Sequence, residues 1–144
     1  MSGRLSIAAA LILDDHGRML LVRKRGTHRY MQAGGKLEPG ELADAALVRE
    51  LHEELGLTAT TEMLTALGRF TAEAANEPGH TVDAHVFGLD LAAALPAGAT
   101  AQTLRPAAEL DDLVWADPAA PAVPLAPLTE HVILPLARER CPHA

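Results

Sequence analysis

Apolar residues fall along this chain in two periods, and the switches between them mark its elements. From Leu5 to Leu13 they are nearly continuous, the pattern of a strand covered on both faces. Asp14-Asp15-His16-Gly17-Arg18 is turn chemistry and Met19 to Arg23 reads as a returning strand, so a hairpin is expected. Ala43, Leu47, Leu51 and Leu55 then recur at every fourth position, predicting a helix from Leu42 to Leu55 with one apolar flank, ended by Gly56. Leu64 to Ala72 and His80 to Leu91 predict a second hairpin, around a polar turn that contains Asn76, Pro78 and Gly79. Ala92 to Ala108 is rich in Ala and Pro without a period and reads as a loop with little structure of its own. Order resumes over Glu109 to Trp115, and Asp117 to Pro127 must be extended or turning. A final helix should follow, capped by Thr129, with Leu128, Val132, Ile133, Leu136 and Ala137 on its apolar side and Pro135 kinking or dividing it. Strands interleaved with two helices predict an α/β fold: an α/β/α sandwich with a mixed central sheet, built as one domain over residues 1–144.

Composition narrows the function. A chain of 144 residues, 49% of them apolar, can bury a real core. Its net charge of −7 and pI near 5.4 argue against gripping a nucleic acid polymer, which needs a basic face. A small anionic substrate stays open, because bound metal ions reverse the local sign of the field. The one cysteine, Cys141, excludes an intrachain disulfide framework and suits a reducing compartment. The apolar run near the N-terminus meets Asp14 with no small-residue cleavage site and is too short to span a bilayer. A cytoplasmic protein with no membrane partner is expected, and a homodimer is compatible with the sequence.

Candidate chemistry gathers in Gly34-Gly35-Lys36-Leu37-Glu38-Pro39-Gly40-Glu41 and the helix after it. Glu50, Glu53 and Glu54 fall within an arc of roughly 100° on that helix, and like charges so close need positive compensation that Arg49 alone does not supply. A divalent ion with oxygen ligands fits, Mg²⁺ first and Mn²⁺ as the second choice. The glycines let a backbone carbonyl approach as a further hard ligand. Arg23-Lys24-Arg25-Gly26-Thr27-His28-Arg29 is a local basic excess in an acidic chain, so Arg23 and Arg25 are candidates for binding substrate phosphate. Tyr30 could stack on a base or pack beneath the loop.

From Gly35 the chain runs five residues to Glu41, seven more, then Arg49-Glu50-Leu51-His52-Glu53-Glu54-Leu55-Gly56-Leu57. This resembles the complete signature of the Nudix (MutT-like) hydrolase family, with all nine defined positions matched over 23 residues. The resemblance implies the α/β/α arrangement, with the motif helix on one face of the sheet and the C-terminal helix on the other. It implies Glu50, Glu53 and Glu54 as metal ligands, a backbone carbonyl from Gly35, Arg49 orienting a carboxylate, and Glu41 supporting the metal or the substrate beside it. Glu109, ahead of Trp115, resembles the acid that often serves as general base outside the motif, with Asp111, Asp112, Glu73 and Glu77 as competitors. His28, His80 and His85 are read as surface or core histidines.

The activity implied is hydrolysis of a diphosphate bond in a nucleoside diphosphate linked to another moiety, or in a nucleoside triphosphate. A catalytically silent nucleotide-binding or sensor module is the alternative, although such modules tend to lose box carboxylates that this chain keeps. Isomerisation of an isoprenoid diphosphate would need a cysteine in the site, and Cys141 lies almost at the C-terminus. Ala33 replaces the proline common before the glycine pair. The proline that marks ADP-ribose enzymes is absent from Phe70 to Ala75, as is the tyrosine of diadenosine polyphosphate enzymes, and no coenzyme A motif is found upstream. With Tyr30, Phe70, Phe87 and Trp115 as the whole aromatic set, a two-sided clamp on a base is hard to build, and weak base selectivity is expected.

Overall fold

A computed structural model describes residues 3–74 and 78–140. Cys141, Asn76 and Glu77 lie outside the described residues. The elements run β1 (Gly3–Leu11), β2 (Met19–Lys24), β3 (Ala33–Lys36), α1 (Ala43–Leu55), β4 (Leu64–Glu73), β5 (His80–Leu89), α2 (Leu91–Ala94) and β6 (Leu110–Ala116). A wide π-type turn, Thr129–Ile133, leads into α3 (Leu134–Arg140).

Four strands form one sheet in the order β3-β1-β5-β4, and β2 pairs with β6 in a second. The β1–β5 pair is parallel and the rest antiparallel, so the larger sheet is mixed as expected. Successive side chains on β1 point to opposite faces. Ala8, Ala10 and Ile12 join Leu47, Leu51 and Leu55 of α1 in one core, while Ala9 and Leu11 join Ile133, Leu134 and Ala137 of the C-terminal helix in the other. On β2 the same alternation sends Leu20 and Val22 to the first core and Met19 and Leu21 to the second. These two buried faces make the α/β/α layers. Each fully buried Leu contributes about 2 kcal/mol, so the periodic stripe of α1 is enough to anchor it.

The expected first hairpin is corrected. The turn closes, with Leu20 N–H donating to the carbonyl of Ile12 at 2.9 Å and a bridge between Leu13 and Met19. Beyond it the strands part, because β2 takes β6 as its partner, from Met19 opposite Ala116 to Lys24 opposite Leu110. A register shift between Arg23 and Lys24 leaves Asp111 as an extra residue. The second hairpin forms as predicted, β4 against β5. Within the expected loop 92–108, the end of the short helix α2 and a single 3₁₀ turn, Ala101–Thr103, take shape.

Thr129 does not cap the last helix. Leu128 is already helical, and the Thr129 side chain is fully buried, its hydroxyl donating to Gln32 Oε1 at 2.8 Å. The wide turn ahead of Pro135 accommodates a residue that lacks an N–H and crowds the carbonyl four residues back.

Gly34 and Gly35, read as loop, are strand. Gly34 pairs with Ala9 and Gly35 with Ala8. They are glycine because the chain is crowded there: a Cβ on Gly34, at φ +137°, would lie 2.1 Å from the Ala8 carbonyl oxygen. Gly34→Ala should therefore destabilise the fold by about 3 kcal/mol or more. Gly40→Ala, at φ +76° with nothing within 4 Å of the new methyl, should cost about 1–2 kcal/mol. Urea titration of both variants checks this, and equal losses would remove the close approach as the cause.

Candidate active site on the first helix and the glycine strand

Helix α1 runs past β3, and the contact gives its three glutamates three different environments. Glu54 is 3% exposed, and its Oε1 accepts a hydrogen bond from Gly34 N–H at 3.1 Å. Glu50 lies against Gly35, where a Cβ would come within 2.5 Å of its carboxyl carbon. Glu53 remains half in water, its side chain 52% exposed. The backbone of β3 thus fits closely around the inner two carboxylates.

Arg49 ties the outer part together. Its Nε and NH2 donate to Glu41 Oε2 and Oε1 at 2.9 and 2.8 Å, a two-point grip that matches the planar guanidinium. NH1 donates to Glu50 Oε1 at 2.8 Å, and NH2 to the Lys36 carbonyl at 3.2 Å. Glu53 and Glu38 sit at 3.6 and 3.7 Å. Arg49 thus compensates more charge than its single place in the sequence suggests, but it does not reach Glu54.

The electrostatics follow from these contacts. The Arg49 grip, helped by Glu38 N–H, holds the Glu41 carboxyl down at about 2. The same grip, chiefly from Glu41, holds the Arg49 guanidinium above its usual range. Burial raises Glu50 against the opposing pull of Arg49. Burial pushes Glu54 up to about 8; Gly34 N–H and Lys24 oppose the rise, while Glu50 and Glu109 add to it. Lys24 and Glu109 are therefore electrostatic neighbours of the site, although the sequence places them far apart.

Beside this wall opens a cavity of about 330 Å³, lined by Lys24, Arg25, Gln32, Gly35, Lys36 and Glu109 among others. The candidates now separate. Arg25 faces the cavity, whereas Arg23 donates to the Thr27 carbonyl at 3.0 Å, lies 3.6 Å from Asp111, and sits 5.7 Å over the Tyr30 ring. Tyr30 is packed in the core and its hydroxyl donates to Asp112 Oδ2, so neither Arg23 nor Tyr30 lines the cavity. Glu41 lies outside the cavity too, in the grip of Arg49. Of the acids that compete with Glu109, Asp111 and Asp112 are taken up by Arg23 and Tyr30, while Glu73 lines the cavity as Glu109 does. Gln32 was not singled out by sequence reasoning, and Lys24 was read only as one of the basic run Arg23-Lys24-Arg25; the β2 register shift is what separates it from Arg23.

The donor set suits a hard cation. Three carboxylates and a glycine backbone supply oxygen only, and a deeply buried carboxyl with one hydrogen bond gains from a positive neighbour. Among the described residues no three acidic, His or Cys side chains are already drawn together as a metal cage, and Glu50 lies 2.8 Å from Arg49.

A family model described as the NUDIX domain matches residues 3–135. This chain belongs to the NUDIX domain family. Nudix hydrolases generally work with divalent metal ions and nucleotide-type substrates. Among solved structures, this Nudix chain is similar to the ORF135 protein of E. coli, with 29% identity, TM-score 0.64, and 95% of this chain and 88% of that one covered. It shares its fold with the MutT NUDIX hydrolase of Burkholderia pseudomallei, at 23% identity, TM-score 0.72 and coverage of 92% and 96%. An RNA pyrophosphohydrolase of Vibrio atlanticus is 32% identical over 59 residues, 41% of this chain and 34% of that protein. The chain thus spans about a third of the length of such curated relatives. No helix among the described residues is long and apolar enough to cross a membrane.

Glu54 yields a test of the site's electrostatics. With its folded-state pKa raised to about 8 from 4.5, it favours the folded state when protonated. That contribution is complete below pH 4.5 and is lost as pH rises through about 8. Denaturant titrations in chelator should therefore show stability falling across that window, on the order of 4 kcal/mol, and Glu54→Gln should flatten the slope. A slope that survives the substitution would assign it to other groups.

Proposed function

We propose that residues 1–144 act as one unit, a metal-dependent pyrophosphohydrolase. It would cleave a diphosphate bond in a nucleoside diphosphate linked to another moiety, or in a nucleoside triphosphate, by attack of an activated water. The observation that carries this reading is the buried Glu54 carboxyl beside Glu50, next to a cavity with cations at its rim. Glu50, Glu53, Glu54 and the Gly35 carbonyl would hold Mg²⁺, or Mn²⁺ in its place. Bound there, the metal would neutralise the diphosphate and lower the pKa of a water.

The chain's own residues divide the remaining work. Glu54 would hold the metal with a buried carboxyl already placed by Gly34 N–H. Arg49 positions Glu50 through the 2.8 Å contact and is itself braced by Glu41. Glu109 is the proton acceptor for the attacking water, because it lines the cavity and is close enough to Glu50 and Glu54 to raise both. Lys24 and Arg25 grip the phosphate that enters at the rim. The net charge of −7 and the size of the cavity favour a small nucleotide over a polymer. The Vibrio atlanticus relative, named for RNA, makes an RNA with a 5′-triphosphate a necessary member of any substrate panel.

That panel tests the reading: nucleoside triphosphates, dinucleoside polyphosphates, ADP-ribose, nucleotide sugars and the RNA, each with Mg²⁺. Phosphate or nucleotide release from one group is expected, abolished by EDTA and lowered about a hundredfold or more in Glu54→Gln. Nucleotide binding without any turnover would point to a silent binding module.

A further inference from the structure

The cavity has a polar feature that hydrolysis does not use. Gln32 is 6% exposed and lines the cavity. Its Oε1 accepts the hydroxyl of the fully buried Thr129 at 2.8 Å. Its Nε2 has no hydrogen-bond partner among the described residues, yet it is not sealed in; the sealed, unpartnered side-chain atom there is Trp115 Nε1. A residue so buried, lining a cavity, can turn its open amide only toward that cavity. Apolar side chains of Leu5, Ile7, Met31, Val82 and Leu128 make up much of the remaining wall.

Backbone bonds hold this arrangement. Tyr30 N–H donates to the Pro124 carbonyl at 2.8 Å and Ala126 N–H to the Tyr30 carbonyl at 2.9 Å, so the segment entering the last helix is strapped beside Tyr30-Met31-Gln32. Glu130 N–H donates to the Ala126 carbonyl at 2.9 Å, starting the helix there and turning Thr129 inward. With the Thr129 hydroxyl donating to the amide oxygen, the two amide N–H donors are left on the other side.

We infer that Gln32, positioned by Thr129, selects the non-phosphate part of the substrate by offering its amide N–H groups to an acceptor edge, such as a carbonyl oxygen on a nucleobase. The inference rests on the nucleotide-type substrate proposed above. A donor left unmet in an apolar pocket is penalised, and an exocyclic amino group would set N–H against N–H. Oxo bases are therefore favoured over their amino counterparts. This departs from the weak base selectivity expected from the scarcity of aromatic residues, because the reader is an amide and not a stacking ring.

Two nucleotide pairs test it, inosine against adenosine and uridine against cytidine, each exchanging oxo for amino at one ring position and N–H for a lone pair at the ring nitrogen beside it. The ratio of kcat/KM within each pair is measured, together with equilibrium binding of the four monophosphates. The parent should favour the oxo member by about tenfold, the factor of one buried neutral hydrogen bond. Gln32→Met should bring the ratio close to one, as should Gln32→Asn, whose shorter amide keeps the polarity but loses the reach. Thr129→Val should narrow it and Thr129→Ser restore it, a pattern that lost packing alone would not produce. Hydrolysis with a ratio that Gln32→Met and Gln32→Asn leave unmoved overturns the inference and leaves the hydrolase standing. An oxo preference in binding that vanishes in these variants, with no turnover by the parent, does the reverse.

Discussion

The close approach of the β3 backbone to its neighbours is the constraint on which the site depends. On one side Gly34 meets the Ala8 carbonyl so tightly that no side chain fits, and on the other Gly35 meets Glu50. A helix can present carboxylates to a strand at this range only where the strand has no Cβ. The same proximity brings Gly34 N–H onto Glu54 and gives that buried carboxyl its hydrogen bond. Small residues on β1, Ala8 to Ala10, keep the helix layers close on both faces of the sheet.

From this contact the three glutamates acquire distinct states. Glu54 is desolvated, which favours its protonated form, Glu50 is held between Gly35 and Arg49, and Glu53 stays near water. Arg49 is the hub of the outer half, with Glu41 as its brace. One end is thus fixed by a charge-assisted fork, while the carboxyl at the other is buried with a single backbone donor.

The cavity beside the helix is assembled from segments remote in sequence. The end of β2 contributes Lys24 and Arg25, the turn before β6 contributes Glu109, and the strap before the last helix closes the side beneath Gln32. Arg25 N–H donates to the Glu109 carbonyl at 2.9 Å, so the basic and acidic edges of the opening are joined directly.

Local pattern was sufficient for much of this. The bounds of α1, its αL stop at Gly56, the second hairpin and the layered α/β class follow from period, turn chemistry and the box residues, all of which act within a few positions along the chain. That Glu50 and Glu54 share one face of α1 was legible for the same reason, and the structure sets Glu50 against Gly35 and Glu54 on Gly34 N–H while Glu53 stays half in water. Partner choice was not. That β2 pairs with β6 and not with β1, that Gly34 and Gly35 are strand, and that Thr129 turns inward to Gln32 are decided by contacts between segments up to 97 residues apart. Side-chain destinations follow the same rule: Arg23 and Lys24 look equivalent in sequence, but a register shift set by β6 sends one to Tyr30 and Asp111 and the other to the cavity. Hydrophobic and hydrogen-bonding preferences specify which residues must be buried or paired, whereas the identity of the partner emerges only when the whole chain competes for the same core.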